Sequence, residues 1–542
     1  MDTSDFFRKL CVGVNFDVRK FKKDAERFEI IKTKRTGEHK SVEPAQSSGT
    51  TTANVTQNQD PPEPANDKSK KKKKVGNTEA QRFEEVCRLR KSYGIKVKGS
   101  DVPYPVTCFD DLTKRYKVPA WLLNNVRSLG YAEPTPVQMQ AIPAMMERRE
   151  LMCCAPTGSG KTAAFLIPLV HHLKQPCKVG FRGLIVAPTR ELARQTCREC
   201  LALCEGSGLR VYVLSKTDAA KRSLGTKAKF DILVTTPNRL VYLLREGIIS
   251  LKCVEWLVVD ESDKLFEAGQ QGFRDQLAEI YRACCGAKLR RALFSATAAS
   301  ELEEWCRLNL DALLSIYIGP RNCATEAVEQ ELMFVGDESG KLTAFRDLVR
   351  KGLQPPVLVF TQSKERAREL FDELIYDGIN VDVIHSERTL TQRDNVIRSF
   401  RSGKIWVLIC TDLMARGIDF KGVSLVLNYD VPPSVVSYVH RVGRSGRAGH
   451  RGRAVTFFTE QDVVNIRSIA RVIAEAGYEV PQYLLELPRP SKNQKRDLLK
   501  RGIKRHHIST LPKDELAKQR HKRRIIERSR KQKKQKLTGD KG

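Results

Sequence analysis

Short runs of β-branched and other apolar residues recur along the first half of the chain, separated by stretches of helical character. These runs are Leu151–Ala155, Gly183–Ala187, Asp231–Thr235, Trp256–Asp260 and Ala292–Ser295. They show no polar alternation and are four or five residues long, as is typical of parallel strands that are buried on both faces. The pattern therefore predicts an α/β domain built on a parallel sheet.

A second series of the same kind follows a polar stretch at 319–330. Its members are Val357–Phe360, Val381–Ile384, Ile405–Cys410, Leu425–Asn428 and Ala454–Phe458. We therefore predict two tandem α/β domains, at 101–318 and 331–485, joined by a linker at 319–330. Residues 37–80 are rich in Ser, Thr, Gln, Asn, Pro and Lys, so 1–100 is predicted to be a largely disordered N-terminal extension. The apolar runs stop after Pro481, and 486–542 is predicted to be a disordered basic tail.

The charge of the chain is strongly positive and unevenly distributed. Its 542 residues include 95 Lys and Arg against 64 Asp and Glu, a formal net charge of +31. Residues 491–542 hold 20 Lys and Arg and 5 Asp and Glu, and Lys70–Lys74 is an unbroken basic run. Blocks of like charge stay solvated and neutralise phosphates, which indicates a polyanionic partner; the alternative is a tail that only aids solubility. The run Lys70–Lys74 also resembles a nuclear-import signal.

The length of the apolar stretches and the number of cysteines indicate the cellular location of the protein. Stretches such as Trp256–Val259 and Ile405–Cys410 are far shorter than the ~20 residues that span a bilayer, and the first ten residues lack the apolar core of a secretory signal. We therefore expect no membrane insertion and a cytosolic or nuclear protein, whose 15 cysteines are reduced thiols. Cys197, Cys200 and Cys204 share one helix face, which favours core packing over a metal site.

The first predicted strand runs into a glycine-rich loop, hereafter the P-loop. It departs from the usual phosphate-binding pattern only at its first residue, Ala for Gly, and consists of Ala155, Pro156, Thr157, Gly158, Ser159, Gly160, Lys161 and Thr162. The glycines let backbone N–H groups point at phosphate oxygens, and the following helix adds a positive dipole. Lys161 is expected to neutralise the β- and γ-phosphates and Thr162 to ligate Mg²⁺. The alternative, an accidental turn, is disfavoured by the position of the loop between a strand and an amphipathic stretch.

Two adjacent carboxylates, Asp260 and Glu261, end the strand that begins at Trp256. Ligands of α/β proteins bind at the carboxyl ends of parallel strands. Asp260 is expected to hold Mg²⁺, directly or through water, and Glu261 to orient or deprotonate the attacking water. An acidic N-cap on the next helix is the alternative, but a P-loop in the same domain favours catalysis.

Together these motifs resemble those of the DEAD-box ATP-dependent RNA helicases of helicase superfamily 2, over roughly 102–481. The resemblance implies two RecA-like domains, a monomeric core, ATP and Mg²⁺ as cofactors, and RNA as partner. Motif II reads Asp-Glu-Ser-Asp, with Ser262 in place of the usual Ala, and the sequence is similar to a nucleolar subgroup concerned with small ribosomal subunit assembly. That subgroup implies pre-rRNA and pre-ribosomal or other RNP proteins as partners, and a location in the nucleus and nucleolus.

The resemblance also carries the family's other motifs onto this chain. Tyr131 and Gln138, with Phe109 upstream, correspond to the residues that read adenine, since a ring can stack on the base and an amide can pair with it. Asp419 would meet the ribose hydroxyl. The residues implied to couple the nucleotide site to RNA are Asp263, Ser295 and Thr297. The residues implied to hold the RNA backbone are Pro188, Thr189, Arg190, Thr236, Pro237, Arg239, Thr361, Thr411 and Arg416.

Residues 440–447 read His-Arg-Val-Gly-Arg-Ser-Gly-Arg and match motif VI in full. The resemblance implies that Arg444 and Arg447 reach the γ-phosphate from the second domain, and such arginine fingers contribute about 10³–10⁵ in rate in related phosphoryl transfer. Hydrolysis would then require the two domains to close. Asn395 stands where the family's Gln-x-x-Arg element has its Arg, which puts that RNA contact in question.

The leading interpretation is an ATP-dependent RNA helicase that acts on structured RNA. An RNA clamp or RNP assembly scaffold with little strand separation is the alternative from a different class. A DNA translocase is disfavoured, because Gln138 and the complete motif VI point to the RNA family.

Overall fold

The computed structural model describes residues 68–214, 230–267, 272–319, 328–412, 422–446 and 451–489, together with 420, 491, 494, 503 and 505–508. The chain divides into two units, 1–71 and 72–542. All the contacts below lie within the second unit.

In the described residues, eight strands form the first sheet, in the spatial order β1-β8-β2-β7-β6-β3-β5-β4. β1 is antiparallel to β8 and the other pairs are parallel. Their bounds are β1 Ile95–Lys98, β2 Leu151–Cys154, β3 Gly183–Val186, β4 Val211–Val213, β5 Ile232–Thr235, β6 Trp256–Val259, β7 Arg290–Ser295 and β8 Leu314–Ile318.

The second sheet consists, in the described residues, of six parallel strands in the order β11-β12-β10-β13-β14-β9. Their bounds are β9 Val328–Phe334, β10 Val357–Thr361, β11 Val381–Ile384, β12 Val407–Thr411, β13 Leu425–Asn428 and β14 Gly452–Phe458. All ten strands predicted from the apolar runs are present in the two sheets, with bounds shifted by two residues at most.

Helices cover both faces of each sheet, which is why the strands lack polar alternation. Up to residue 309 they are α1 Lys68–Ser92, α2 Asp110–Tyr116, α3 Ala120–Ser128, α4 Pro136–Met146, α5 Lys161–Leu173, α6 Arg190–Leu203, α7 Pro237–Arg245, α8 Ser262–Leu265, α9 Arg274–Ala283 and α10 Ser300–Asn309. Beyond it they are α11 Glu338–Arg350, α12 Lys364–Tyr376, α13 Leu390–Arg401, α14 Val435–Val442, α15 Val463–Glu475 and α16 Gln482–Glu486, with a 3₁₀ turn at Glu460–Asp462. In the part of the chain described, no helix is both long and apolar enough to cross a membrane.

Successive residues of the central strands pack on opposite faces. In β2, Leu151 and Cys153 join the apolar cluster that includes residues of α3 to α6, whereas Met152 and Cys154 join the one that includes residues of α7, α9 and α10. The predicted core packing of the cysteine face on α6 is confirmed, because Cys197, Cys200 and Cys204 are buried in the first of these clusters.

Two edge strands lie across the predicted domain boundaries. Residues 95–98 fall in the predicted N-terminal extension but form β1, in which the buried Ile95 pairs with Ile318 of β8. Residues 328–330 fall in the predicted linker but begin β9, whose pairing partner among the described residues is β14. An edge strand keeps one side in solvent and therefore tolerates polar residues such as Glu329. β1 has only four residues, two of them Lys, and β9 contains Glu and Gln, so neither strand forms an apolar run.

One segment of the predicted basic tail is built into the second domain. Residues 503 and 505–508 pack against the second domain, where Ile508 is 5% exposed and belongs to the apolar cluster under α11 and α12. The helix α1 likewise lies in the stretch predicted to be largely disordered. The remaining residues of the two predicted extensions, apart from 68–100 and the few described beyond 486, lie outside the described residues.

Candidate active site

Three neighbouring strands bring the predicted catalytic motifs to one edge of the first sheet. The P-loop follows β2, Ser295 ends β7 and Asp260 follows β6, and β7 lies between the other two strands. The Ala155 amide donates to the Ser295 carbonyl at 3.1 Å. Because all three strands are parallel, their carboxyl ends meet, and this common edge is where α/β domains bind ligands.

The P-loop has the backbone that phosphate binding requires. Gly158 and Gly160 have φ of +77° and +89°, a region that favours glycine. A Cβ at Gly160 would lie 2.5 Å from Nε2 of Gln138, so glycine is also needed for this close approach. Lys161 Nζ donates to the carbonyls of Ala155 and Pro156, at 2.5 and 3.1 Å.

Of the residues predicted to read adenine, Gln138 contacts the P-loop. Gln138 is buried, accepts from the Thr135 amide at 3.0 Å and donates to the Gly160 carbonyl at 3.1 Å. Its amide thus links the start of α4 to the P-loop. Tyr131 is partly buried against the core of the first domain, in which Phe109 is fully enclosed. Phe109 is therefore a packing residue.

Two buried carboxylates face the P-loop with an incomplete set of partners. Burial, followed by the neighbouring Glu261 carboxylate, raises the pKa of Asp260 to about 7. Glu261 has a left-handed backbone, with φ of +45°, and makes no capping hydrogen bond to α8. No donor among the described residues reaches its buried Oε2. Adjacent buried carboxylates with an orphaned oxygen fit a site for a divalent cation and an ordered water. The predicted metal ligand Thr162 is the second residue of α5, directly after the P-loop lysine.

Asp263 connects three motifs through one oxygen. Its Oδ2 accepts from the Thr297 amide and hydroxyl, at 3.1 and 2.7 Å, and lies 2.9 Å from Nε2 of His440 in the second domain. Although burial alone would raise it, the interaction with His440 and the bonds from Thr297 hold the pKa of Asp263 below its usual range. Ser295 in turn donates to the Thr297 carbonyl at 2.6 Å. The three predicted coupling residues are therefore in one hydrogen-bonded group.

The second domain contacts the P-loop side of the site through motif VI. The guanidinium of the buried Arg444 lies 3.7 Å from Oε1 of Glu261. The Thr157 hydroxyl donates to the Gly443 carbonyl at 2.9 Å. Arg441 is buried inside the second domain, where it donates to both oxygens of Asp412 at 2.5 and 2.9 Å, so its part is structural. Arg447, the other predicted finger, lies outside the described residues.

The predicted RNA contacts follow four strands, two in each domain. Pro188, Thr189 and Arg190 follow β3, whereas Thr236, Pro237 and Arg239 follow β5; Thr361 and Thr411 end β10 and β12. Thr361 and Thr411 are direct partners across the parallel pair. Thr361 is fully buried and its hydroxyl donates to the Ser363 carbonyl at 3.3 Å, whereas Thr411 is partly exposed. The residues Arg416 and Asp419 lie outside the described residues.

The first-domain part of this group is a cluster of positive charge. Burial, followed by the charges of Arg190 and Arg194, lowers the pKa of Arg239 to about 10. The Thr189 hydroxyl accepts from the Leu192 amide at 3.3 Å and so caps α6. A crowded set of guanidinium groups beside a helix N-terminus is suited to phosphate.

A second interdomain contact lies away from the nucleotide site. Arg393 of α13 donates to Glu191 of α6 at 2.6 Å, and both side chains are about nine-tenths buried. The more exposed Arg194 of α6 donates to Asp394 of α13 at 3.1 Å. These two ion pairs of opposite sense occupy the element whose family Arg is replaced by Asn395. We call them the α6–α13 pairs.

Sequence reasoning identified the strand-end motifs but missed several residues between the domains. His440 and Gly443 were within the quoted motif VI, yet no role followed from their pattern. The α6–α13 pairs had no signal at all beyond alternating charge in 190–194 and 393–394. Contacts of this kind depend on how two domains meet, which local pattern does not encode.

The chain is similar to known proteins over most of its length. The model of the DEAD/DEAH box helicase family matches residues 135–305 and that of the helicase conserved C-terminal domain matches 340–449. The probable ATP-dependent RNA helicase DDX52 of Bos taurus is 50% identical over 97% of this chain and 98% of its own length. ROK1, an ATP-dependent RNA helicase of Eremothecium gossypii, is 43% identical over 84% of this chain and 82% of its own.

Among solved structures, S. cerevisiae Dbp5 bound to RNA and ADP·BeF₃ is similar with a TM-score of 0.60, at 24% identity, over 73% of this chain and 100% of that one. At this identity the likeness establishes the fold, two tandem RecA-like domains.

Proposed function

The chain belongs to the DEAD-box ATP-dependent RNA helicases, and from that premise we propose that it couples ATP hydrolysis to RNA binding and to local remodelling of duplexes or RNA–protein contacts. The observation that carries the proposal is the split active site. The P-loop and Glu261 belong to the first domain, whereas Arg444 approaches Glu261 from the second, at 3.7 Å. Hydrolysis is therefore expected only in the closed arrangement.

Each residue near the split site has a distinct part in the proposed reaction. Lys161 and the P-loop amides hold the phosphates, and Glu261 orients or deprotonates the attacking water. Arg444, with Arg447, stabilises the charge that develops on the transferred phosphoryl group. Mg²⁺ held by Thr162 and Asp260 would neutralise phosphate charge when bound.

The proposed RNA surface explains how RNA and ATP act on each other. Its contacts come from both domains, with Arg190 and Arg239 on the first and Thr361 and Thr411 on the second. An RNA strand that binds the contacts of both domains favours the closed arrangement of the domains, and closure completes the nucleotide site. By linkage, ATP then raises the affinity for RNA by the same factor by which RNA raises the affinity for ATP.

We further propose pre-rRNA as the substrate, within small ribosomal subunit assembly in the nucleolus. The Asp-Glu-Ser-Asp form of motif II, at Asp260–Asp263, supports this assignment through its similarity to that subgroup. The excess of Lys and Arg in 491–542 supports a polyanionic partner.

The test is ATP hydrolysis by the full chain with no nucleic acid, single-stranded RNA, a short RNA duplex or matched DNA, while duplex loss is followed in the same reactions. We expect RNA to stimulate hydrolysis and the duplex to separate, with Lys161→Ala inactive as the control. ATP-dependent RNA retention without turnover would instead establish a clamp. Equal stimulation by DNA would refute the substrate assignment.

A further inference from the structure

A short segment near the C-terminus is built into the second domain. It comprises residues 503 and 505–508, which we call the clasp. Ile508 is buried with Phe345 of α11 and Leu370 of α12, and its amide donates to Glu369 at 3.1 Å. The His506 carbonyl accepts from Arg366 at 2.6 Å. A segment held by apolar packing and backbone hydrogen bonds behaves as part of the domain.

The clasp also completes a buried set of charges. The set contains three cations and three carboxylates, each with a side chain less than a tenth exposed: Lys341, Arg366, Arg505, Glu338, Asp430 and Asp462. Arg505, whose side chain is 1% exposed, donates to Glu338 and Asp462, each at 2.6 Å. Without Arg505, three buried carboxylates would face two cations. A buried charge without a partner is strongly destabilising. The folded second domain therefore needs Arg505 of the clasp to keep its buried carboxylates paired.

The same arginine reaches the loop that follows β10. Arg505 Nε donates to Oε1 of Gln362 at 2.8 Å, and Gln362 Nε2 donates to the Ile503 carbonyl at 3.0 Å. The backbone amide of Gln362 donates to the Asp430 carboxylate at 2.9 Å. The clasp thus holds both ends of the side-chain amide of the exposed Gln362. This residue directly follows Thr361, a buried residue that the family resemblance assigns to RNA binding.

We propose that Arg505 is a positioning residue, which acts through Gln362 to hold the loop after β10 in the conformation that binds RNA. The inference rests on the proposed function, because Thr361 is an RNA contact only there. It assigns a task to a part of the tail that its composition predicts to be disordered.

The first test separates the clasp from the rest of the tail. A chain that ends at residue 508 keeps the clasp, whereas a chain that ends at residue 502 lacks it. We expect the chain ending at 508 to melt at the temperature of the full chain, and the chain ending at 502 to melt well below it. Equal melting of the two truncated chains would overturn the clasp as part of the domain.

The second test asks whether Arg505 acts through Gln362. Gln362→Ala removes only exposed hydrogen bonds, so we expect an unchanged melting temperature and ATP KM, with a half-saturating RNA concentration raised about 3- to 10-fold. Arg505→Lys keeps the charge but loses the planar fork that reaches several acceptors at once. We expect it to raise the half-saturating RNA concentration similarly.

The double variant decides whether Arg505 acts through Gln362 or independently of it. If Arg505 acts through Gln362, Gln362→Ala with Arg505→Lys should be no worse than either change alone. Additive effects, or no effect of Gln362→Ala, would overturn the positioning role. A wild-type chain whose hydrolysis ignores RNA would instead refute the proposed function, and the truncation experiment would still decide the clasp.

Discussion

Gly443 of the second domain contacts the P-loop directly, because its carbonyl accepts from the Thr157 hydroxyl at 2.9 Å. Gly443→Ala should keep the fold while preventing full closure. Its φ of −66° and ψ of 7° are ordinary for alanine, and within the second domain the closest atom that a Cβ would meet, among the described residues, is the Val439 carbonyl oxygen at 3.1 Å. A Cβ at this position would, however, lie 1.8 Å from Oγ1 and 3.1 Å from Cβ of Thr157.

The magnitude follows from how the clash is relieved. If Thr157 rotates, the hydrogen bond to the Gly443 carbonyl is lost, at a cost of about 0.5–1.5 kcal/mol, or up to about 10-fold in rate. If the domains separate instead, they must move by at least about 1.2 Å to bring the new contact to the 3.0 Å that Cβ atoms tolerate. A displacement of about 1 Å can reduce the rate about 10²-fold, because Arg444 and His440 would move with it.

The assay is RNA-stimulated ATP hydrolysis, measured beside thermal unfolding and nucleotide-free RNA binding. We expect Gly443→Ala to lower kcat by about 10- to 10²-fold, with unchanged melting temperature and unchanged nucleotide-free binding. Thr157→Ala, compared in the wild-type and Gly443→Ala backgrounds, is the matched control, and it should recover part of the lost rate only in the second. A Gly443→Ala enzyme with near-wild-type kcat would refute the steric argument, as would a loss that Thr157→Ala merely deepens.

Three further sets of substitutions probe the catalytic residues, the α6–α13 pairs and the buried charges around Asp430. Lys161→Ala should abolish hydrolysis by removing phosphate neutralisation, whereas Glu261→Gln should keep ATP binding in a fluorescent-nucleotide assay and stall turnover; near-normal turnover would exclude Glu261 as general base. Glu191→Arg or Arg393→Glu should each lower RNA-stimulated hydrolysis by ~10-fold or more by leaving a buried charge unpaired, and the double swap should recover most of it. Burial alone would raise the pKa of Asp430, but the surrounding cations hold that pKa below its usual range. The stability that the ionised Asp430 contributes is therefore present above the pKa of an unfolded Asp, about 3.9, and is lost as the pH falls below that value. Asp430→Asn should therefore lower the melting temperature at pH 7 and, between pH 5 and 3, lose less stability than wild type; parallel melting curves across that range would contradict this assignment.

The apolar runs predicted the two sheets because fully buried parallel strands leave a pattern that needs no knowledge of their neighbours. The P-loop and Asp260–Glu261 were predictable for a related reason, since their chemistry is local. β1 and β9 were not, because an edge strand such as 328–334 mixes buried Val328 with exposed Glu329. The buried position of Arg505 could not be predicted either, because its surroundings in the sequence are typical of a solvated tail. One buried arginine inside a strongly basic stretch looks like its solvated neighbours until its three carboxylates are assembled from distant parts of the chain.

The α6–α13 pairs change how the ionic-strength dependence of this protein should be interpreted. Each phosphate that a protein neutralises releases counterions, so the slope of log affinity against log salt is commonly used to count phosphate contacts. Arg194 and Asp394 are partly exposed, and salt weakens such a pair directly. Part of the salt sensitivity of RNA binding therefore comes from domain closure. A count of phosphate contacts taken from the wild-type slope will be too high, and neutralising both members of this pair should bring the slope down to the value set by RNA alone.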